Sequence, residues 1–361
     1  MSQRSYLRPV AFVDSPFDLD GQVARLAGGL AWFSAVEAVV MEGARRVSVE
    51  LVPVARIEEA LSRLGGDAET AWRNLLAPRA PLSLGPRTVR LDQPQAVGIL
   101  NLTPDSFSDG GRLDSPDAAA AAGFAMAEAG AAIVDVGGES TRPGAKPVWE
   151  GDEIERVLPA VRQLASGGTA VSIDTRKAAV MEAALAAGAA MVNDVSALTY
   201  DDRAAAVVAA ASCPVVLMHH QGPPETMQDM PHYEGPLLYA VYDWLAERIE
   251  AAAAAGIARE RIVVDPGFGF GKTVQHNLRL MNGLALLHGL GCPIMLGASR
   301  KRTIGALSGE APPDRRLAGS LAFALKAAEQ GVQLLRVHDV PETVQALRIW
   351  RGLRDAALAP G

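Results

Sequence analysis

The chain has 361 residues, a formal net charge of −7, 49% hydrophobic side chains and two cysteines. This length suits one large α/β domain with an extra segment, or two domains, and the acidic balance excludes a general nucleic-acid binder. The start, "MSQRSYLRPVAFVDSPF", has no signal-peptide pattern, and the most apolar early run, "LAGGLAWFSAVEAVV", contains Glu37 and is too short to span a bilayer.

Residues 1–94 carry an alternating run, "RVSVELVPV", and two helical stretches, "ARIEEALSRL" and "DAETAWRNLLA". They are expected to fold as an N-terminal α/β extension, a structural or interaction module. From residue 95 to 361 one unit recurs. A helical stretch ends in glycine, a short apolar run follows, and the run stops at a polar residue. Gly130, Gly188, Gly256 and Gly331 are read as the residues just past helix ends. The apolar runs have the continuous character of strands buried on both faces in a parallel sheet. They are 96–100, 132–136, 170–173, 190–192, 215–218, 262–264, 294–296 and 332–337. Ser115-Pro116-Asp117 is read as a helix start, and Asp339 with Glu342 as a capping pair. Eight such β-α units predict a TIM (β/α)8 barrel, with an open doubly wound sheet as the alternative. Cys213 and Cys292 each precede a proline and an apolar run, which reads as two buried free thiols in a reducing cytoplasm.

A barrel gathers its active site at the C-terminal ends of its strands. There stand Asn101, Asp135, Asp174, Asn193, His219, Asp265, Ser299 to Lys301, Arg336 and His338. Two chemistries divide them. Asp174, Asn193 and Asp265 are acceptors with no metal-ligand spacing, suited to a flat heterocycle rich in N–H donors. Asn101, Arg142, Arg336, His338 and Lys301 form a second, largely basic set able to clamp a phosphate or pyrophosphate. "VVDPGFGFGKT", 263–273, imitates a phosphate loop, but Pro266 occupies the place of the first glycine, so the backbone cannot wrap a phosphate there. The neighbours His219 and His220 lack the i, i+4 zinc spacing and are read as pocket wall or loop.

The segments "GILNLTPDSFSDGG", "IVDVGGESTRPGA", "VSIDTRKAAV", "VNDVSA", "LMHHQGPPETMQ", "VDPGFGFGKT", "LGASRKRTIG" and "LLRVHDV" occur in this order. Together they closely resemble the dihydropteroate synthase family, from about Val97 to near Leu353. The resemblance implies a pterin-binding TIM barrel. It would condense 6-hydroxymethyl-7,8-dihydropterin pyrophosphate with p-aminobenzoate, giving 7,8-dihydropteroate and pyrophosphate. It further implies that Asp174, Asn193, Met218, Asp265 and Lys301 meet the pterin. Asn101 would ligate Mg2+ beside the pyrophosphate, and Arg142, Arg336 and His338 would clamp that anion. Thr141, Pro143, Gly269 and Phe270 would wall the aminobenzoate pocket. Asp174, Lys301 and Arg142 are the expected catalytic residues, and Lys272 receives no role. A homodimer is implied as well, with sulfonamides as inhibitors. Two positions depart from many relatives: His220, and Arg302, read either as reaching the aminobenzoate carboxylate or as a solvated surface residue. A pterin-binding paralogue without catalysis and a methyltetrahydrofolate methyltransferase are the rival readings, and neither needs the basic cluster.

Overall fold

The computed structural model describes residues 3–103, 115–140, 147–222 and 231–359. Its N-terminal region holds an antiparallel sheet of β1 (Gln3–Val13), β2 (Ala24–Arg25), β3 (Trp32–Glu42) and β4 (Arg45–Pro53). β3 is central, with β1 along one side and β2 and β4 along the other. Two helices, Ile57–Leu64 and Gly66–Leu76, cover one face over a small core that includes Leu7, Phe33, Val36 and Leu75. The opposite face sets Tyr6, Val39 and Met41 into the main core. The Tyr6 hydroxyl donates to the Asp243 carboxylate at 2.8 Å, and Arg4 pairs with the same group at 2.8 Å. Because β3 is buried on both faces, it shows no alternation in its sequence.

A hairpin of β5 (Leu82–Leu84) and β6 (Arg87–Val89) leads into the second unit. There β7 (Gln95–Asn101), β8 (Ile133–Gly137), β9 (Val171–Asp174), β10 (Met191–Asp194), β11 (Val215–Met218), β12 (Ile262–Asp265), β13 (Met295–Leu296) and β14 (Leu334–Val337) pair in parallel. The order is β12-β11-β10-β9-β8-β7-β14-β13, and a lone bridge between Val264 and Ile294 closes the ring. This is the predicted barrel, with helices outside each strand. Leu82, Leu84, Val89 and Leu91 pack against Val97, Ile133, Met191, Val216, Val263, Met295 and Leu334, so the hairpin forms the barrel floor.

Local chemistry matches most of the predicted boundaries. The Ser115 hydroxyl accepts the Ala118 N–H at 3.2 Å and opens the helix Pro116–Glu128. All four predicted helix-end glycines have positive φ. One expectation fails: Asp339 does not cap its helix through its side chain. Its carboxylate is taken by Arg300, a charged partner that outcompetes a backbone N–H. The last strand also starts at Leu334, later than expected, because the Val332 N–H still bonds back to the Ala327 carbonyl of the preceding helix. Among the described residues no helix is long and apolar enough to cross a membrane.

Candidate active site

Parallel registry sets the polar residues side by side. Asn193 on β10 lies beside Asp174 on β9, and Met218 on β11 lies beside Asp265 on β12. Each of these four side chains is buried. Asp135, 1% exposed, sits one step deeper on β8. Its Oδ2 accepts from Asn193 Nδ2 at 3.0 Å and from Arg336 Nε at 2.6 Å. Arg336 Nη2 donates to Asp174 Oδ2 at 2.6 Å. A carboxylate can only accept, so Asp135 dictates which way the Asn193 amide points and leaves Asn193 Oδ1 as its acceptor. Arg336, expected at the anion, therefore lies among the acidic groups.

Burial pushes Asp174 above the usual carboxylate range. Arg336 opposes this, while Asp135, Glu153 and Asp194 reinforce it. Burial also raises Asp265, against the pull of Lys301 and of the Gly267 N–H, which donates to Asp265 Oδ1 at 2.7 Å. For Arg336, burial works against the charge, but Asp135 and Asp174 outweigh it and hold the guanidinium above its ordinary range.

The loop after β12 forms a second cluster. Gly267 has φ +67°, and a Cβ there would come within 1.7 Å of the His219 carbonyl oxygen, so only glycine fits. Lys301 Nζ donates to the Phe268 carbonyl and lies 4.5 Å from the centre of the Phe270 ring. Burial lowers the Lys301 pKa to about 8, with Asp265 opposing and Arg336 adding to the fall. The Gly269 N–H donates to Asn277 Oδ1 at 2.8 Å, and Asn277 Nδ2 in turn donates to Thr303 Oγ1 at 3.0 Å. Gly269, Phe270 and Lys301 are thus brought together as expected.

Asn101 ends β7 at the mouth, and its Oδ1 faces Asp174 Oδ2 across Gly137. His338 Nδ1 meets Ser299 Oγ at 3.0 Å. Thr141, Arg142 and Pro143 lie outside the described residues. On either side of them, Glu139 Oε2 accepts the Val148 N–H at 2.9 Å, and Glu139 pairs with Arg176 and Lys177. Arg302 is exposed, in line with a solvated position. Cys213 and Cys292 are buried free thiols, and burial raises both to about 11. Among the described residues no group of three or more His, Cys, Asp or Glu is placed to hold a metal.

Reasoning from sequence missed three groups. Asp135 was placed at the mouth but given no partner. Asn277 and Lys272 both brace the β12 loop from the protein side. A polar residue inside an otherwise apolar strand was the available signal for Asp135.

Residues 97–338 match the model of a family described as "Pterin binding enzyme". The dihydropteroate synthase of Escherichia coli (strain K12) is 45% identical over 260 residues, covering 72% of this chain and 91% of that protein. A solved dihydropteroate synthase of Yersinia pestis in a sulfonamide drug complex superposes with a TM-score of 0.73 at 44% identity, covering 76% of this chain and 100% of that one. The Xanthomonas albilineans enzyme in complex with 7,8-dihydropteroate gives 0.69 at 44% identity, over 76% of this chain and 99% of that one.

Proposed function

Since the chain belongs to the dihydropteroate synthase family and has that transferase activity of folate biosynthesis, we propose how its own residues divide the work. Asp174, Asn193 Oδ1 and Asp265 accept from the ring N–H and amino groups of the dihydropterin, with Met218 against the ring. Arg336, His338 and Arg142 meet the pyrophosphate. Thr141, Pro143, Gly269 and Phe270 wall the aminobenzoate, and Lys301 stands between the two pockets. The observation that carries this reading is the fixed Asn193 amide between Asp135 and two buried carboxylates. Asn193 Oδ1, Asp174 and Asp265 supply the acceptors there, and a donor-rich ring is their complement.

Arg336 holds Asp174 through Nη2 and Asp135 through Nε. When the pterin takes Asp174, Nη2 turns to the pyrophosphate while Nε keeps its place on Asp135. As the bond from the pterin methylene to the pyrophosphate oxygen lengthens, positive charge spreads over the ring, and the Asp174 carboxylate stabilises it. The aminobenzoate nitrogen then forms the new C–N bond and loses a proton, with no strong base required. Asn101 supplies one neutral oxygen, which fits Mg2+ held mainly by water and phosphate oxygens, and bound Mg2+ would neutralise charge on the leaving group.

Three further parts belong to this proposal. Residues 1–94 act as a structural module, supported by their own small core and by the floor hairpin. A homodimer through outer helices is supported by Ile349 and Leu353, exposed four residues apart on the helix Val340–Leu358. Two buried thiols accord with a cytoplasmic location. The assignment of the ring site is tested with Asp265→Asn, which turns an acceptor into a donor. Pterin binding should weaken by about 2–4 kcal/mol in calorimetric titration. Wild-type affinity in that variant would overturn the ring site.

A further inference from the structure

The Gly271-Lys272-Thr273 end of the β12 loop binds no phosphate, and none of the roles above uses Lys272. Yet Lys272 is 3% exposed, and its Nζ makes three contacts, all with protein groups: it donates to the Gly267 carbonyl at 2.9 Å and the Phe270 carbonyl at 3.0 Å and lies 2.9 Å from His219 Nδ1. Burial holds its pKa well below the ordinary lysine range, and the three contacts occupy the amine without any substrate. His219 is itself fixed. Its N–H donates to the Asp265 carbonyl at 2.9 Å, and its ring stands edge-on to Trp244 at 5.0 Å. Burial, together with Lys272, keeps the imidazole pKa well below the ordinary histidine range.

The loop is therefore gripped from two sides. Lys301 reaches in from the mouth and takes the Phe268 carbonyl, whereas Lys272 reaches up from behind and takes the carbonyls before and after it. The two grips differ in one respect. Lys301 belongs to the substrate site, so its bond to Phe268 competes with ligand. Lys272 has no ligand to exchange for, and its hold is permanent. Burying an amine among carbonyls is expensive, and an apolar side chain of similar length would serve bulk packing better. What the lysine supplies is a fixed distance between Gly267 and Phe270, which sets the curvature of the segment between them.

We propose that Lys272 is a positioning residue for the second substrate, holding the β12 loop in the curve that keeps Gly269 and Phe270 in place whether or not Lys301 is engaged. This rests on the reading that Gly269 and Phe270 wall the aminobenzoate pocket. The geometry of the pterin end is held separately, because the Gly267 N–H donates to Asp265 and Gly267 is confined by the His219 carbonyl; Lys272 reaches Asp265 through its charge, which favours the ionised carboxylate.

The test is steady-state kinetics on the full-length chain with both substrates varied. Lys272→Met keeps the length of the stem and removes the donors. We expect KM for p-aminobenzoate to rise about tenfold or more, with KM for the pterin pyrophosphate and kcat changed less than about threefold. An unchanged aminobenzoate KM would overturn the proposal, as would an equal loss in every parameter. His219→Phe, which keeps the ring against Trp244 and removes one of the three Nζ contacts, should raise the aminobenzoate KM in the same direction by about threefold. If Lys272→Met does not fold, an unchanged aminobenzoate KM in His219→Phe overturns the proposal by itself. Phe270→Ala separates the two layers. If it leaves the aminobenzoate KM at the wild-type value, the pocket reading fails. If it raises that KM and Lys272→Met does not, only the role of Lys272 fails.

Discussion

Replacing Asp135 with Asn probes the hinge of the ring site without touching a substrate. Asp135 Oδ2 accepts from Arg336 Nε and Asn193 Nδ2, while its Oδ1 is buried with no hydrogen-bond partner among the described residues. An asparagine can leave its oxygen in the Oδ2 position and keep both contacts. It loses the charge, which removes roughly half the strength of each bond. It also places an NH2 where the orphan oxygen stood, and an unpaired buried donor costs about 1–3 kcal/mol. Arg336 still has Asp174, so the full penalty of an unpaired buried charge, about 3–5 kcal/mol, is not reached. The sum is a destabilisation of about 2–4 kcal/mol, or roughly 3–5 °C in Tm for a chain of this size. The functional effect is separate. A neutral amide at 135 can donate to Asn193 as well as accept, so the Asn193 amide is free to turn, and KM for the pterin pyrophosphate should rise about tenfold. Scanning calorimetry and steady-state kinetics read both. A variant with Tm within about 1 °C of wild type and an unchanged pterin KM would refute the claim that Asp135 orients this site.

Two further outcomes follow from the geometry. Lys301 titrates near 8, below the ordinary lysine value of about 10.4, so its charge is lost in the native state as pH rises past 8. The value of kcat/KM for the pterin pyrophosphate should fall on that limb, and Lys301→Arg should abolish the limb even if it lowers the rate; an unmoved limb in that variant would assign it elsewhere. Over the same interval the unfolded chain binds more protons than the native one, so this group makes stability rise with pH. Leu84→Ala, in a fully buried residue of the floor hairpin, should cost about 2–5 kcal/mol in urea unfolding and leave both KM values unchanged. Deletion of residues 1–91 should be worse still, since it bares the apolar base of all the strands that the hairpin covers, and an active, equally stable barrel from that deletion would show the floor to be dispensable.

The barrel was readable because a parallel strand is apolar on both faces and the polar residue that ends it is abrupt. That is how Asp174, Asn193 and Asp265 stood out at the ends of β9, β10 and β12. The N-terminal sheet was harder. β4 alternates and was visible, but β3 buries both faces and β1 pairs with it over its whole length. The hairpin at 82–89 was not singled out, because its leucines become meaningful only once there is a barrel base for them to fill. Side-chain partners between distant segments were not legible at all. Arg336 meets Asp135 across 201 positions, and Lys272 meets His219 across 53. Asp339 illustrates the same limit in reverse, since a locally sound capping motif gave way to an arginine that the fold delivers from β13's loop.

The ring of strands is not equally sewn. Between β12 and β13 it is joined by the single bridge at Val264 and Ile294, and β13 has only two residues. Every other neighbouring pair shares at least two registered positions. The barrel is in this sense a split collar, and its split runs directly under the lip that carries Phe270 on one side and Lys301 on the other. What spans the gap at the lip is side-chain work: Lys301 to the Phe268 carbonyl and Asn277 to Thr303. Opening the collar at this seam breaks fewer backbone bonds than anywhere else in the ring, and the seam lies on the far side from the strands that carry Asp135 and Asp174.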